Sequence, residues 1–294
     1  MKKYLFIVNP VAGKGRTLEL IPKIKESFDR EKIDYEISIT EKKGEAEKLA
    51  EEGIQRGFNY IISVGGDGTT YEVVNGIRDK KVILGILPAG TGNDFARMIK
   101  MPRDYDEMLE TIMYARTKRI DVGKVNDRYF LNCSSVGIDA EIVRETEGIK
   151  KYISGTSAYL LGVLKTLIGY KSKEIEVQID ESVIKRNIEL IAVGNGKYYG
   201  GGMKINPKAD LEDGVLDICL VNKMSKAKFA SLFLTVFKGN HVKIKEVETF
   251  SGKEIKIYGD ESLLLNVDGD IIGTIPAEIK VEKAALDVIV PEVK

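Results

Sequence analysis

With 294 residues, 43% of them hydrophobic, the chain can bury a sizeable core and is long enough for two domains. Lys plus Arg and Asp plus Glu each number 45, so the formal net charge is zero; no global field draws the protein to nucleic acid or to an acidic membrane, and only local patches remain. The two cysteines, Cys133 and Cys219, lie in apolar strand-like runs, the setting of buried inert thiols rather than of a disulfide or metal site, and one that suits a reducing cytoplasm.

Residues 1–10 hold two lysines and a short apolar run that stops at Asn9-Pro10, too brief and wrongly flanked for a signal peptide. No stretch reaches the ~20 apolar residues that span a bilayer, so contact with lipid is expected to be peripheral. Residues 4–8 (YLFIV) read as a strand buried on both faces. That run ends in NPVAGKGR, where Gly13 and Gly15 loosen the backbone. Lys14 and Arg16 add charge ahead of a helical pattern carrying Leu18, Ile21, Ile24 and Phe28. A basic glycine loop between strand and helix suits a phosphate, and equally a plain turn with solvated charges; its spacing is not that of a P-loop. Residues 35–40 alternate as a strand, and residues 44–56 form an amphipathic helix with Ala46, Leu49, Ala50 and Ile54 on one face.

The organising stretch is SVGGDGTTYEVVNG, residues 63–76. An apolar run over 60–64 delivers a glycine turn and then a helix, the arrangement in which backbone N–H groups converge on a phosphate, and it is read as the nucleotide phosphate site. Residues 81–87 (KVILGIL) predict another buried strand, ending in PAGTGNDFAR. There Gly90 and Gly92 permit close approach and Thr91 offers a hydroxyl. Asp94 is expected as the N-cap of a helix beginning near Phe95, with a metal's outer shell as its second role. Strands alternating with helices imply a parallel sheet with right-handed crossovers, so all three glycine loops belong at its carboxyl end, where ligands bind.

Near Asp121 the texture changes to short β runs over 130–138, 174–179, 188–193, 215–221, 254–258 and 279–281, with helical segments near 152–170 and 226–237. These predict an antiparallel sandwich or barrel-like second domain, an α/β plus all-β fold divided near residue 122. Residues 159–170 (YLLGVLKTLIGY) are the most apolar helical stretch, expected to cover a sheet, with a lipid-facing role as the alternative. VGNGKYYGGG, residues 193–202, is either a tight backbone corner or a mobile cleft rim. ADLEDGVLD, residues 209–217, gathers Asp210, Glu212, Asp213 and Asp217, as an Asp-Gly hairpin turn or as hard oxygen donors for Mg²⁺ or Ca²⁺. In LLLNVDGD, residues 263–270, Asp268 and Asp270 flank Gly269; Asp-Gly predicts a hairpin, and a carboxylate at such a tip is placed to act as a general base.

Together, GGDGTTYEVVNG, PAGTGNDFAR, the NPVAGKGR loop and the late VDGD resemble the diacylglycerol kinase catalytic-domain family, in its soluble bacterial lipid-kinase branch. The likeness covers nearly the whole chain and keeps the motif order. GGDGT is shared with NAD kinases; EVVNG after it and the PxGTxNDFAR block favour the lipid kinases. The resemblance implies a parallel-sheet nucleotide-binding domain (1–122), an antiparallel β-sandwich domain (123–283), ATP held in the cleft between them, and residues 284–294 packing back on the first domain. It implies an ATP- and Mg²⁺-dependent kinase acting on the hydroxyl of diacylglycerol or a related lipid alcohol.

Carried over residue by residue, Asn9, Thr40, Gly65, Gly66, Asp67, Gly68 and Thr69 match positions at the nucleotide, joined by Gly90, Thr91 and Asn93 of the second block. Asp67, Asp94 and Asp121 match an acidic set linked to magnesium through water, and Asp213 the acid of a structural magnesium loop. Asp268 and Asp270 stand where the family's DGE acids are proposed to activate the lipid hydroxyl; Asp270 is one methylene shorter than Glu, and either acid is a candidate base. Tyr71 stands where the family commonly has Asn. The sole histidine, His241, lies in a lysine-flanked loop, so a histidine base is not expected. The implied setting is the cytoplasm with transient membrane association, a lipid substrate met at the membrane surface, no nucleic acid and no transmembrane segment, with a homodimer left open. The competing readings are an NAD kinase and a nucleotide-binding regulator without catalysis.

Overall fold

The computed structural model describes residues 2–78, 80–114, 116–150, 166–167 and 169–292. The chain divides into two compact units, Met1–Val122 with Lys283–Lys294, and Gly123–Glu282.

The first unit runs β1 (Lys3–Val8), α1 (Arg16–Arg30), β2 (Asp34–Ile39), α2 (Glu45–Gln55), β3 (Tyr60–Gly65), α3 (Asp67–Ile77), β4 (Ile83–Pro88), α4 (Asp94–Met98) and α5 (Tyr105–Tyr114), then enters β5 (Thr117–Val125). The sheet order is β2-β1-β3-β4 with every pair parallel, as the alternating pattern predicts. The central β3 is buried throughout, which is why its residues form an unbroken apolar run and do not alternate. Tyr4 of β1 stacks on Tyr60 of β3 with ring centroids 4.5 Å apart and meets Phe28 of α1 edge-on at 5.2 Å, so α1 is pinned by aromatic contacts. The buried stripe of α1 is Thr17, Leu20, Ile24 and Phe28. Leu18, expected on that stripe, is exposed and Ile21 only half-buried; Ile24 and Phe28 hold their expected places, and Thr17 and Leu20 complete the face.

The second unit contains β6 (Arg128–Phe130), β7 (Cys133–Gly137), α6 (Ile138–Lys150), β8 (Lys173–Ile179), β9 (Ser182–Gly194), β10 (Leu216–Asn222), α7 (Lys226–Val236), β11 (Val247–Gly252), β12 (Glu254–Gly259), β13 (Leu264–Val267) and β14 (Asp270–Thr274), and begins β15 (Ala277–Ile289). Within it the pairs β7-β9, β8-β9, β9-β10, β10-β11, β7-β13, β13-β14, β8-β12 and β12-β15 are antiparallel. The long β9 pairs with β8 through its first half and with β7 through its second, joining two sheet segments in one sandwich-like unit. Beneath α6 and α7 lies a core that includes Cys133, Ile138, Leu190, Ala192, Cys219, Val221, Phe229 and Leu232. The end of β15 returns to the first unit, where Asp287 and Val288 pair in parallel with Ile83 and Leu84 of β4.

Two expectations change, and one alternative is resolved. The β run anticipated over 130–138 breaks after Gly137, and α6 begins at Ile138; Gly137 has φ +125° and sits against Glu189 backbone, a turn that redirects the chain into a helix. Asp213-Gly214 is a turn leading into β10, not a hairpin tip, since β10 pairs with the distant β9. Residues 193–196 form a tight corner, with the Asn195 and Gly196 N–H groups both donating to Asn132 O at 3.0 and 2.9 Å. Most of the apolar stretch 159–170 lies outside the described residues. Among the described residues no helix is long and apolar enough to cross a membrane.

Candidate functional site

In the first unit, the carboxyl ends of β1, β2, β3 and β4 carry every proposed nucleotide residue. Past β1, Asn9 donates its N–H to Val64 O at 3.0 Å and its Nδ2 to Thr69 Oγ1 at 3.0 Å, while Thr17 Oγ1 donates to Asn9 O at 2.6 Å. Thr40, just past β2, is buried and donates its N–H to Val8 O at 2.9 Å. Gly65 O accepts the N–H groups of Ala89 and Gly90 at 2.8 and 3.2 Å, tying the β3 turn to the β4 turn. Asn93 closes that second turn on itself, its Oδ1 accepting from Gly90 N at 3.0 Å and its Nδ2 donating to Gly90 O at 2.9 Å. Thr91 sits exposed at its crest.

Two glycines make the cluster sterically possible. A Cβ on Gly90 would fall 2.4 Å from Gly66 Cα, and one on Gly13, whose φ is +59°, would fall 2.0 Å from Ala89 O. The three glycine loops are therefore packed backbone to backbone. Over them α3 begins at Asp67, with Gly68 exposed in its first turn; the leading N–H groups of a helix have no intrahelical acceptor and carry the positive end of its dipole.

Asp67 couples the loops electrostatically. Its Oδ1 accepts from the N–H groups of Asp94 at 2.7 Å and Phe95 at 3.4 Å. This corrects the expected cap. Asn93, at φ +52°, occupies the N-cap of α4 without a side-chain cap bond, and the helix start is closed by Asp67 from a different loop. The Asp94 carboxylate turns instead to Arg97, 2.6 Å away. Burial, and then the charge of Asp94, push the Asp67 carboxyl up to about 6, against the opposing pull of the three amides at Asn93, Asp94 and Phe95. Two neighbouring acids that resist joint ionisation fit a bound cation, which would offset that repulsion. Asp121, on β5, is buried and accepts the Ala284 N–H at 2.7 Å. Among the described residues no three of His, Cys, Asp and Glu converge as direct metal ligands.

In the second unit, Asp268 and Gly269 are the two turn residues between β13 and β14, with φ of +48° and +95°, the doubly left-handed geometry that Asp-Gly favours in a tight hairpin. The Asp268 carboxylate is taken up by backbone: Leu131 N–H at 2.8 Å on Oδ2, and Asn132 and Cys133 N–H at 3.0 and 2.9 Å on Oδ1. The Asp268 N–H in turn donates to Cys133 O at 3.0 Å. Asp270, opposite Val267 at the start of β14, is half-buried. The two acids thus differ: one anchors the turn and the other is carried by it.

Sequence reasoning missed a polar cluster beside this turn. Asn266 Nδ2 donates to Ser135 Oγ at 3.0 Å and to Asp139 Oδ2 at 3.3 Å, and Ser135 Oγ donates to Asp139 Oδ2. Burial raises the Asp139 carboxyl, and its Oδ1 has no hydrogen-bond partner. The readable signals were a lone Asn inside LLLNV and a Ser and Asp four residues apart across a strand end. Burial raises both thiols, Cys219 to about 12, which makes them inert, as expected.

In the acidic loop, Asp210 Oδ1 accepts from Glu212 N–H and Asp213 Oδ1 from Val215 N–H, each at 3.1 Å. Burial and the charge of Asp213 push Asp217 up to about 6, with Lys208 and Lys197 opposing.

Residues 3–125 match the family described as the diacylglycerol kinase catalytic domain, and residues 132–290 match the YegS C-terminal NAD kinase beta sandwich-like domain. Relatives named diacylglycerol kinase include that of Staphylococcus aureus (strain MRSA252), 33% identical over 294 residues, 99% of this chain and 93% of the relative. That of Bacillus subtilis (strain 168) is 30% identical over 297 residues, 100% of this chain and 98% of the relative. A solved diacylglycerol kinase structure from Bacillus anthracis str. Sterne is similar with a TM-score of 0.74 at 26% identity, over 99% of this chain and 97% of that one.

Proposed function

This chain belongs to the diacylglycerol kinase family, a family of kinase enzymes, and from that premise we propose that it transfers a phosphoryl group from ATP, with Mg²⁺, to the hydroxyl of diacylglycerol or a related lipid alcohol. The observation that carries this reading is the set of three glycine loops held backbone to backbone at the carboxyl ends of β1, β3 and β4, under the N-terminus of α3. Phosphoryl transfer asks a protein mainly for positioning and charge stabilisation. Amides over residues 65–69 supply the phosphate cradle, Asn9 and Thr40 border it, and Gly90, Thr91 and Asn93 close its far side. When bound, Mg²⁺ offsets the charge on the transferred group. Asp67 and Asp94 are its proposed outer-shell anchors; Asp121 joins that set on resemblance alone. Asp213 is proposed for a second, structural magnesium, a role that fits the charge its loop places on Asp217.

In the second unit we assign the base to Asp270. It accepts the proton of the acceptor hydroxyl, while Asp268 holds the turn, since three backbone amides already occupy the Asp268 oxygens. The reading places the enzyme in the cytoplasm with transient contact to the membrane that holds its acceptor. The deciding experiment incubates the chain with labelled ATP, Mg²⁺ and a panel of lipid alcohols in mixed micelles, with NAD in a parallel reaction. Label in organic-extractable lipid is the expected result. Label in NAD instead would convert the reading to an NAD kinase, and tight ATP binding with no transfer to a nucleotide-binding regulator.

A further inference from the structure

One helix of the second unit presents an uncovered apolar ridge inside a basic field. On α7, Phe229, Leu232 and Val236 are buried in the core, whereas Leu234 is 75% exposed and Phe237, directly after the helix, 49% exposed. Ala230, Leu234 and Phe237 follow at helical spacing and share the outward face. The Phe237 ring meets Phe233 edge-on with centroids 5.8 Å apart, which holds it in place against the helix. Around this ridge, residues 223–245 contain six lysines and no Asp or Glu, in a protein of zero formal net charge. Lys228 is engaged by Glu246, and Lys226 donates to Tyr170 O. Lys223, Lys238 and Lys243 are exposed and enter no ion pair among the described residues, while exposed Lys245 faces the Glu246 carboxylate, whose pKa Lys228 and then Lys245 hold down.

The chemistry that matches exposed apolar side chains on a lysine-rich segment without a single acid is an anionic lipid surface: the apolar side chains enter the headgroup boundary and the long lysine stems reach lipid phosphates. A second copy of this chain is a poor fit, because a two-fold contact through the same patch sets its lysines against identical lysines. We propose that α7 and the segment following it, through Lys245, dock the chain on an anionic bilayer, with Leu234 and Phe237 inserted and Lys223, Lys238, Lys243 and Lys245 against the headgroups. This rests on the reading of the acceptor as a membrane lipid, and it names the surface by which that lipid is approached.

The chain has no tryptophan, so Leu234→Trp installs a single reporter at the ridge. On phosphatidylcholine vesicles containing phosphatidylglycerol its emission shifts to the blue and is quenched by brominated acyl chains; Val183→Trp, at another exposed position of the same unit, does neither. Combining Lys238→Glu, Lys243→Glu and Lys245→Glu in the otherwise unchanged chain lowers sedimentation with these vesicles at least about tenfold. The proposal is overturned by an unshifted reporter, by an equal shift at position 183, or by a shift that rises with protein concentration without vesicles, which would mark self-association. Phosphorylation of a dissolved short-chain diacylglycerol without vesicle binding removes the docking surface and leaves the kinase reading. Insertion without transfer to any lipid does the reverse.

Discussion

The glycine-loop cluster of the first unit and the Asp-Gly turn of the second solve one problem in opposite ways. Each uses an aspartate to draw backbone amides from a distant segment: Asp67 collects those of Asp94 and Phe95, and Asp268 those of Leu131, Asn132 and Cys133. Asp67 does so next to a second acid, and its carboxyl is pushed up by burial and by Asp94. Asp268 is answered by three amides, and a second carboxylate, Asp270, begins the next strand. The first arrangement sets two acids side by side, the setting of the proposed cation; the second commits one acid to the turn and leaves the proposed base to its neighbour.

The sharpest way to break this comparison is at the turn. Asp270→Asn is expected to lower kcat about a thousandfold, in the range of a lost general base, with an unchanged melting temperature and unchanged ATP binding by calorimetry. Asp268→Asn places an amide NH₂ among backbone donors and is expected to cost about 1–3 kcal/mol of stability, read as a lower midpoint in urea. If Asp268→Asn instead keeps full stability and loses turnover while Asp270→Asn stays active, the two roles are exchanged.

In the first unit, Gly90→Ala forces a methyl group to within 2.4 Å of Gly66 Cα. Parting the loops is expected to weaken ATP binding at least about tenfold, the equivalent of ~1.4 kcal/mol and within the usual cost of overpacking; unaltered affinity would show that the loop contact does not shape the nucleotide site. The cap role of Asp67 predicts a smaller effect. Asp67→Ala is expected to lose about 1 kcal/mol of stability with the α4 cap, whereas Asp67→Asn keeps an acceptor, drops the charge and melts no lower than the parent. Equal losses in both variants would mean that charge, not capping, is what Asp67 contributes.

His241 offers the mildest test and concerns neither acid. It is fully buried with Nε2 against Ile205 O at 2.9 Å, and burial lowers its pKa below the ordinary 6.5. The unfolded chain then binds the proton first as pH drops, so stability falls as pH goes down through 6.5 toward the folded-state value. Because it is the sole histidine, its imidazole resonances report the titration directly by NMR; a midpoint at or above 6.5 would refute the shift.

Much of the first unit is legible because its signals are local. The apolar run at residues 60–64 followed by GGDGTT predicts strand, turn and helix from nearest neighbours alone, and β3 and α3 follow that reading. The hairpin at Asp268-Gly269 is equally local, since two left-handed residues in a row leave little but Asp-Gly to choose. The N-terminal boundary of α6 was hidden because Val136, Ile138 and Ile142 continue the apolar texture of β7, and only the left-handed Gly137 marks the change. The cap of α4 was misassigned for another reason: Asp94 is the only acid near that helix start in the chain, yet it is Asp67, from a distant loop, that accepts the Asp94 and Phe95 amides.

Residue order alone therefore settles which segments become strands, where the glycine loops lie and which acids are available, because these depend on hydrophobic period and on backbone freedom within a few residues. Only tertiary structure assigns those acids their tasks. Asp67 and Asp268 become clamps, and Asp270 is left as the carried acid, because the amides that occupy a carboxylate come from segments 27 and 135 to 137 residues away, and no local pattern encodes a hydrogen bond across that separation.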